Sequence, residues 1–179
     1  MRNLKNFSNL SLIKMLFSTD YDLPLGKVLI VSDGEAICGV WFYGQDHFLS
    51  SVEDEVIQKD DLAIFVKVKD WLDRYFNCEN PKIDFELKPN GSEFRCKVWD
   101  RLLEIPYGKT VTYGEIAREI SPTMSAQAVG GAVGHNPISI LIPCHRVLGS
   151  NGKLTGYAGG IDRKMKLLKL ERSQYDDLF

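Results

Sequence analysis

Residues 140–150 read ILIPCHRVLGS, an apolar run that stops at a proline and continues with a cysteine, a histidine and an arginine. The run predicts a buried strand, because short apolar stretches bounded by proline are typical of buried strands. Cys144 is the most nucleophilic type of side chain, and His145 is the usual proton acceptor in proteins. This stretch is therefore the first candidate for an active site.

From these residues alone, two interpretations of Cys144 stay open. A cysteine after an apolar run is often a small buried hydrophobe. If it is instead a nucleophile with His145 as its base, a bridging water or a local bend is needed, because neighbours in an extended chain point to opposite faces. Glu171, near the end of the last predicted helix, could orient the imidazole.

The residues around this stretch, 91–179, are predicted to be mainly helical. Ser92 is a candidate N-cap of a first helix, and Thr112 with Glu115 has the T-x-x-E form of a capping box that opens a second. Ser125 is a candidate cap of a third, AQAVGGAVG. Two short helices separated by a tight break predict a helix-turn-helix.

The third predicted helix has unusually small side chains. Gly130 and Gly131 each cost a helix about 1 kcal/mol relative to alanine, but they let another molecule approach the backbone closely. Packing against a neighbouring helix and insertion into a DNA groove are equally compatible with this pattern. Asn136-Pro137 follows, and Asn136 either caps both flanking elements through its amide or is a turn residue.

Residues 1–90 are predicted to form a small α/β domain. Two β-rich runs within 27–42 are joined by Asp-Gly, a hairpin signal, and the apolar spacing over 62–76 predicts a helix. A short strand is expected at 83–87, and the polar segment 45–61 predicts a surface loop or a ragged helix. No polar side chains converge in this half, so we predict no chemistry there.

The charge is divided unevenly between the halves, which a polar KPNGS segment (88–92) joins. Residues 1–90 carry 10 Lys/Arg and 15 Asp/Glu, a net −5, whereas residues 91–179 carry 12 and 9, a net +3, in keeping with the net −2 of the chain. If any part meets a polyanion, it is the second half.

The cysteines and histidines are too scattered for a zinc site, since no two cysteines form a CxxC pair. We therefore predict no metal and no other cofactor. LSLIKMLF (10–17) is interrupted by Lys14 and is followed by no small-residue cleavage site, so it predicts neither a signal peptide nor a membrane span. A cytoplasmic protein with free thiols and no membrane partner is expected.

PCHRV, with AVGGAVGHNP before it and GYAGG after it, resembles the O6-alkylguanine-DNA alkyltransferases, also called methylated-DNA–protein-cysteine methyltransferases. The similarity runs from about Phe94 to Glu171, with a looser match in the N-terminal hairpin and helix. It implies an α/β ribonuclease H-like domain over 1–90, followed by a mainly α winged helix-turn-helix catalytic domain over 91–179.

The resemblance also implies the roles of the catalytic residues. Cys144 would take an alkyl group from O6 of guanine and keep it as a thioether, so that one molecule repairs one lesion. His145 would be the base, acting through a water, and Glu171 would orient it. Asn136 would link the recognition helix to the active-site turn. Tyr113 is a packing residue on its own pattern, but the resemblance implies that its hydroxyl serves O6.

Further residues are implied to hold the substrate. Tyr157 and the backbone of Ala158 and Gly159 match a loop that closes over the guanine, and the backbone at Val147 would meet its exocyclic amine. Arg146 is a further expected contact with substrate or DNA.

The implied partner is double-stranded DNA that contains O6-alkylguanine, with the damaged nucleotide flipped out of the helix. The helix matching residues 126–134 would enter the minor groove through Ala126 and the two glycines. Many members carry an arginine there that fills the vacated stack, and this chain has Gln127 instead. This departure predicts weaker DNA binding with alkyl transfer intact. A monomer is expected.

Two other functions compete with repair. A damage sensor would recognise alkylguanine without repairing it, but relatives of that type replace the acceptor cysteine, which is Cys144 here. A thiol hydrolase using Cys144 and His145 would need an oxyanion hole and turnover, for which the sequence holds no sign. Some members of the family bind zinc in the N-terminal half, where this chain has only Cys38, Cys78 and His47.

Overall fold

The computed structural model describes residues 15–171. Its strands and helices are, in chain order, β1 (Leu16–Leu23), β2 (Gly26–Ser32), β3 (Ile37–Phe42), β4 (Val56–Gln58), α1 (Ala63–Phe76), α2 (Glu93–Leu103), β5 (Val111–Thr112), α3 (Tyr113–Ile120), α4 (Ala126–Gly134), β6 (Val147–Leu148) and α5 (Ile161–Leu170). Single-turn 3-10 helices stand at Cys144–Arg146 and Ser150–Gly152.

The predicted hairpin is confirmed as β2 and β3, which pair antiparallel. Gly34 has a φ of +101°, a backbone conformation that favours glycine. The Asp33 carboxylate accepts hydrogen bonds from the backbone N–H groups of Glu35 (3.2 Å) and Ala36 (3.0 Å). The Asp-Gly pair therefore supplies both the bend and its side-chain support.

Two strands of the sheet were not predicted. The strand order is β3-β2-β1-β4, with β1 antiparallel to β2 and parallel to β4. β1 shows no clean apolar alternation because its buried Thr19 is polar, with its hydroxyl donating to Asp60 (2.6 Å) and accepting from Lys69 (2.9 Å). β4 lies inside the segment 45–61, so the prediction of a loop or ragged helix is wrong there.

The helix predicted over 62–76 is confirmed as α1, which buries Phe65, Val68 and Leu72. The strand predicted at 83–87 is wrong. That segment makes one isolated bridge, Leu87 with Ile37, at the end of β3, and it is otherwise irregular.

The predicted starts of α2, α3 and α4 are confirmed, because each cap residue accepts a hydrogen bond from the first turn of its helix. The cap pairs are Ser92 with the N–H of Arg95 (3.4 Å), Thr112 with the N–H of Glu115 (3.2 Å) and Ser125 with the N–H of Ala128 (3.1 Å). At Thr112 the capping box is complete, since Glu115 accepts its N–H in return (2.6 Å).

The buried strand predicted to lead to Cys144 is also wrong. Residues 139–142 are buried turns and bends, and Ile140 has a φ of +73°. Asn136 replaces the missing strand partners, because its side-chain amide donates to the carbonyls of Ile142 (2.8 Å) and Ile138 (3.4 Å). The apolar run is buried, but in a turn that its own asparagine stabilises.

The two halves of the chain share one core. The N–H of Val40, in β3, donates to the carbonyl of Pro137, and the N–H of Ser139 donates to the carbonyl of Val40, both at 2.9 Å. A continuous hydrophobic cluster runs from the sheet and α1 to α2, α4 and α5. The outer edge of the sheet therefore holds the segment that leads to Cys144.

Both ends of the chain lie partly outside the described residues. Of LSLIKMLF, residues 10–14 are outside, and Leu16 and Phe17 begin β1. Between residues 15 and 171, no helix is long and apolar enough to cross a bilayer.

Candidate active site

Cys144 is buried, with 5% of its surface exposed, and it opens a 3-10 helix. Asn136 donates its side-chain amide to the sulfur at 3.1 Å, with the same nitrogen that supports the turn. Asn136 also accepts the N–H of Ile138 at 3.0 Å. One side chain thus fixes both the turn and the sulfur that the turn carries.

Burial raises the pKa of the Cys144 thiol, because a thiolate loses its hydration there. The hydrogen bond from Asn136 and the charge of Lys164 oppose this effect by stabilising the thiolate. A base close by is therefore needed to take the proton.

His145 is fully buried, and its Nε2 lies 2.8 Å from Glu171 Oε1. Burial lowers the pKa of His145, against the opposing effect of Glu171. An ionised Glu171 can only accept, so Nε2 carries the hydrogen and Nδ1 of the neutral ring has the free lone pair. Nδ1 is buried and has no hydrogen-bond partner among residues 15–171. The available basic atom of the ring is therefore Nδ1.

Glu171 holds a negative charge in the interior. Burial alone would raise its pKa, but the hydrogen bonds from His145 and Arg146 outweigh this and hold the pKa far below its usual range. Arg146 binds both carboxylate oxygens, at 2.8 and 2.9 Å, and also donates to the carbonyl of Ile105 (2.6 Å). This arrangement favours a role for Arg146 in holding Glu171 over the expected contact with substrate or DNA.

Tyr113 is the first residue of α3, where the Thr112 cap fixes its position. Its hydroxyl donates to the carbonyls of Thr155 (3.2 Å) and Gly156 (3.3 Å). Burial, and then the charge of a Cys144 thiolate, raise the pKa of Tyr113 to about 12, so the hydroxyl keeps its hydrogen at neutral pH.

Lys164 in α5 was not predicted as a site residue. It is fully buried, donates to the carbonyls of Thr155 (2.8 Å) and Gly156 (3.2 Å), and lies 5.8 Å from the centre of the Tyr113 ring. Burial lowers its pKa to about 8, although a Cys144 thiolate opposes this.

The sequence carries a signal for Lys164. Lys164, Leu167 and Glu171 recur at helical spacing on one face of α5, and all are buried. A lysine in the apolar stripe of a helix indicates a special environment. Tyr75 of α1, whose hydroxyl reaches Glu171 at 2.7 Å, has no such signal because its partner is 96 residues away.

Hydrogen bonds to two other residues hold the loop after residue 154. The carbonyl of Ala158 accepts the N–H of Asp46 (3.0 Å), and that of Gly159 accepts from Arg163 (2.8 Å). A Cβ at Gly159 would lie 2.6 Å from the Tyr157 ring, so only glycine fits this approach. The Tyr157 hydroxyl is buried without a hydrogen-bond partner among the described residues.

Two cavities are lined in part by Tyr113. One, of about 180 Å³, lies between His47, Val133 and the loop at Tyr157 and Ala158. The second, of about 580 Å³, lies between α3, α4 and the loop at Thr155, and is lined by Arg118 and Gln127 among others. Both are lined by Tyr113, Gly130 and Gly156.

The exposed face of α4 consists mostly of small residues, as its sequence indicates. Ala126, Gln127 and Gly131 are exposed, and a Cβ at Gly131 would meet nothing within 4 Å. Gly130 faces Tyr113, whose ring would lie 3.8 Å from a Cβ there. Val147, whose backbone was expected to meet the guanine amine, is buried and pairs with Val111 between β6 and β5.

The side chains of the types that bind metal ions do not form a cluster in the described part of the chain. Within residues 15–171, no group of three or more His, Cys, Asp or Glu side chains could hold a metal ion. His47 stacks on His135 at the end of α4, with ring centres 3.9 Å apart.

Two family models match the chain. Residues 93–173 match the model described as 6-O-methylguanine DNA methyltransferase, DNA binding domain, and residues 16–89 match 6-O-methylguanine DNA methyltransferase, ribonuclease-like domain. The chain is 44% identical over 163 residues to the methylated-DNA–protein-cysteine methyltransferase of Haemophilus influenzae, covering 90% of this chain and 89% of the relative. It is 44% identical over 153 residues to the protein of the same name from Methanosarcina acetivorans, covering 86% and 96%.

Solved structures show the same likeness. Mycobacterium tuberculosis OGT in complex with DNA superposes with a TM-score of 0.78 at 40% identity, covering 88% of this chain and 92% of that one. An O6-methylguanine DNA methyltransferase from Methanococcus jannaschii superposes with a TM-score of 0.64 at 27% identity, covering 86% and 93%.

Proposed function

This chain belongs to the 6-O-methylguanine DNA methyltransferase family, and from that premise we propose that it repairs DNA by moving an alkyl group from O6 of guanine to Cys144, once per molecule. The observation that carries the assignment to Cys144 is the geometry around its sulfur. Asn136 donates a hydrogen bond to the buried sulfur at 3.1 Å, and the neighbouring His145 is held by Glu171 at 2.8 Å. The sulfur therefore has a group that stabilises its thiolate and an adjacent residue that can serve as its base.

The transfer is a displacement at a saturated carbon. The Cys144 sulfur attacks the alkyl carbon, a sulfur–carbon bond forms, the carbon–O6 bond breaks, and its electron pair stays on O6. His145 takes the thiol proton on Nδ1 through a water, while Glu171 keeps Nε2 protonated. Because the resulting thioether is stable, no second turnover follows.

The leaving guanine needs a hydrogen-bond donor at O6, and in this proposal the hydroxyl of Tyr113 supplies it. Its hydroxyl hydrogen would have to turn away from the carbonyls of Thr155 and Gly156. Lys164 already donates to both oxygens, so neither is left without a partner when Tyr113 turns. We assign Lys164 this supporting role.

The loop at Tyr157, Ala158 and Gly159 forms the remaining wall of the guanine site. Its close backbone approach, which glycine at 159 permits, suits a flat base. In this proposal the backbone carbonyls near Cys144 and Val147 meet the exocyclic amine.

Double-stranded DNA would bind across α3 and α4 as a winged helix-turn-helix, with the β5–β6 pair beside it. The bare face of α4, through Ala126, Gly130 and Gly131, would enter the minor groove. Gln127 would fill the gap left by the flipped nucleotide. A solved relative in complex with DNA supports the binding of DNA by this chain.

The same proposal covers the organisation of the chain. Residues 91–179 form the catalytic domain, and residues 1–90 form a ribonuclease H-like support. The protein acts as a monomer, and a reducing cytoplasm suits it because the acceptor must remain a thiol.

Mass spectrometry after incubation with duplex DNA containing O6-methylguanine tests the function. We expect a stoichiometric gain of one CH2 group on the peptide that contains Cys144. No gain, with binding retained, would indicate a damage sensor, and release of product over many turnovers would indicate a hydrolase.

Cys144→Ala separates chemistry from recognition. We expect this variant to lose transfer completely and to keep its affinity for the damaged duplex within about threefold, because binding depends on α4 and the loop. A parallel loss of binding would show that Cys144 mainly supports the fold.

A further inference from the structure

One residue of the first half of the chain contacts Glu171 and His145, the pair that deprotonates Cys144 in the proposed function. Tyr75, one residue before the end of α1, is 1% exposed. Its hydroxyl lies 2.7 Å from Glu171 Oε1 and 3.4 Å from His145 Nε2. Because an ionised Glu171 can only accept, Tyr75 is the donor of the shorter contact.

The ring of Tyr75 has little freedom to move. It stacks on Trp71 with ring centres 5.3 Å apart and an interplanar angle of 11°. Tyr107 meets it edge-on at 6.1 Å. These contacts are made by the ring, so a phenylalanine at this position can keep them.

Glu171 Oε1 is shared among three donors: Tyr75, His145 and Arg146. Its partner oxygen Oε2 accepts from Arg146 and from the N–H of Gly108 at 3.1 Å. The hydroxyl therefore competes with the imidazole for the charge on one oxygen, and it also limits how the carboxylate can rotate.

We propose that Tyr75 is a positioning residue for alkyl transfer: its hydroxyl, supplied by the first half of the chain, holds Glu171 and so sets the orientation and basicity of His145. This inference rests on the proposed function, and it gives residues 1–90 a part in the chemistry through Glu171 and His145. It assigns no contact between Tyr75 and the substrate.

The direction of the effect follows from the charges around His145. Glu171 and Lys164 face it from α5, Arg146 and Cys144 adjoin it in the 3-10 helix, and Tyr75 faces it from α1. In Tyr75→Phe, Oε1 loses a neutral donor, and more of its charge acts on His145. The imidazolium is then stabilised, so the base becomes protonated at a higher pH than in the wild type.

The test is the pH dependence of single-turnover transfer from O6-methylguanine in duplex DNA. We expect Tyr75→Phe to move the acid side of the profile upward by about 0.5 to 1 pH unit, making transfer about three- to tenfold slower on that side and closer to wild type at high pH. Tyr21→Phe is the matched control, since it removes a tyrosine hydroxyl that donates to Asp73 at 2.6 Å in the same half of the chain. Its profile should be that of the wild type.

Nitrogen-15 NMR of the His145 ring supplies a readout that needs no DNA. In Tyr75→Phe the Nε2 resonance should change and protonation should begin at higher pH. All assays are run at least about 10 °C below the melting midpoint of each variant, so that differences in stability do not enter. An unchanged profile together with an unchanged ring spectrum would overturn the inference. If the wild type transfers no alkyl group, the proposed function fails, whereas the ring spectra still decide the role of Tyr75.

Discussion

Tyr113 and Lys164 approach the same pair of carbonyl oxygens from two helices, and this sharing has consequences for catalysis at the scale of single residues. A hydrogen bond that strengthens as charge develops on O6 lowers the barrier more than it improves binding. Removing the Tyr113 hydroxyl should therefore slow alkyl transfer. Removing the Lys164 ammonium group should instead raise the pKa of Cys144.

For Tyr113→Phe we expect transfer to slow by about tenfold or more, which corresponds to about 1.4 kcal/mol, with a smaller loss of DNA affinity. Single-turnover rates and equilibrium binding on the same duplex measure the two effects. Tyr43→Phe, which removes an exposed hydroxyl bonded to Asp20, is the control. Wild-type rates in Tyr113→Phe would remove this residue from the chemistry.

For Lys164→Met we expect the pKa of Cys144 to rise, because the ammonium group stabilises the thiolate. Transfer should then slow at neutral pH and recover as the pH rises, by about tenfold for each unit by which the pKa moves. Lys166→Met, at an exposed position of the same helix, should keep the wild-type profile. A uniform slowing at every pH would contradict the electrostatic role.

Sequence patterns predict some site residues much better than others. Cys144, His145 and Asn136 lie within ten residues of each other, so one local sequence motif contains all three. α5 contains other lysines as well, and only its position in the apolar stripe distinguishes Lys164 from them. Tyr75 meets Glu171 through the tertiary fold alone, and no local pattern could indicate that contact.

At the scale of elements, α4 offers a small, uncharged face in which Gln127 is exposed. An arginine there would add a positive charge where the phosphate potential of the minor groove is strongest. We expect Gln127→Arg to tighten DNA binding at low salt and to steepen its log–log salt dependence by up to about one unit. Binding titrations at several salt concentrations measure the slope, and an unchanged slope would contradict placement in the groove.

Gln127→Ala tests the same position in the opposite direction. We expect slower repair of duplex DNA, because nothing would fill the stack that the flipped base leaves. Transfer from the free base O6-benzylguanine, or O6-methylguanine if the larger base reacts poorly, should be nearly unchanged. Equal slowing on free base and duplex would place Gln127 in the fold or in the guanine pocket.

Elements with local signals were predicted correctly, and those that depend on distant partners were not. Helix caps at Ser92, Thr112 and Ser125 act within one turn, so the sequence suffices for them. The apolar run before Cys144 is equally compatible with a strand or a buried turn. Only the reach of the Asn136 amide decides in favour of the turn.

At the scale of the whole molecule, the sheet, α1 and the helical half share one hydrophobic cluster. We therefore expect urea to unfold the chain in a single cooperative transition. Far-ultraviolet circular dichroism, tryptophan fluorescence and loss of transfer activity should give the same midpoint. Two separate transitions would show that the halves are independently stable, and they would weaken the proposed part of Tyr75 in holding Glu171.

The pairing of Val40 with Pro137 and Ser139 also bears on how the chain is made. The ribosome completes β3 almost a hundred residues before it adds the segment that closes the edge of that strand. At ordinary translation speeds the delay is about 5 to 20 seconds, during which the outer edge of β3 at Val40 has no partner strand. A chain that stalls before residue 137 would thus lack its nucleophile and would also keep a strand edge open to aggregation.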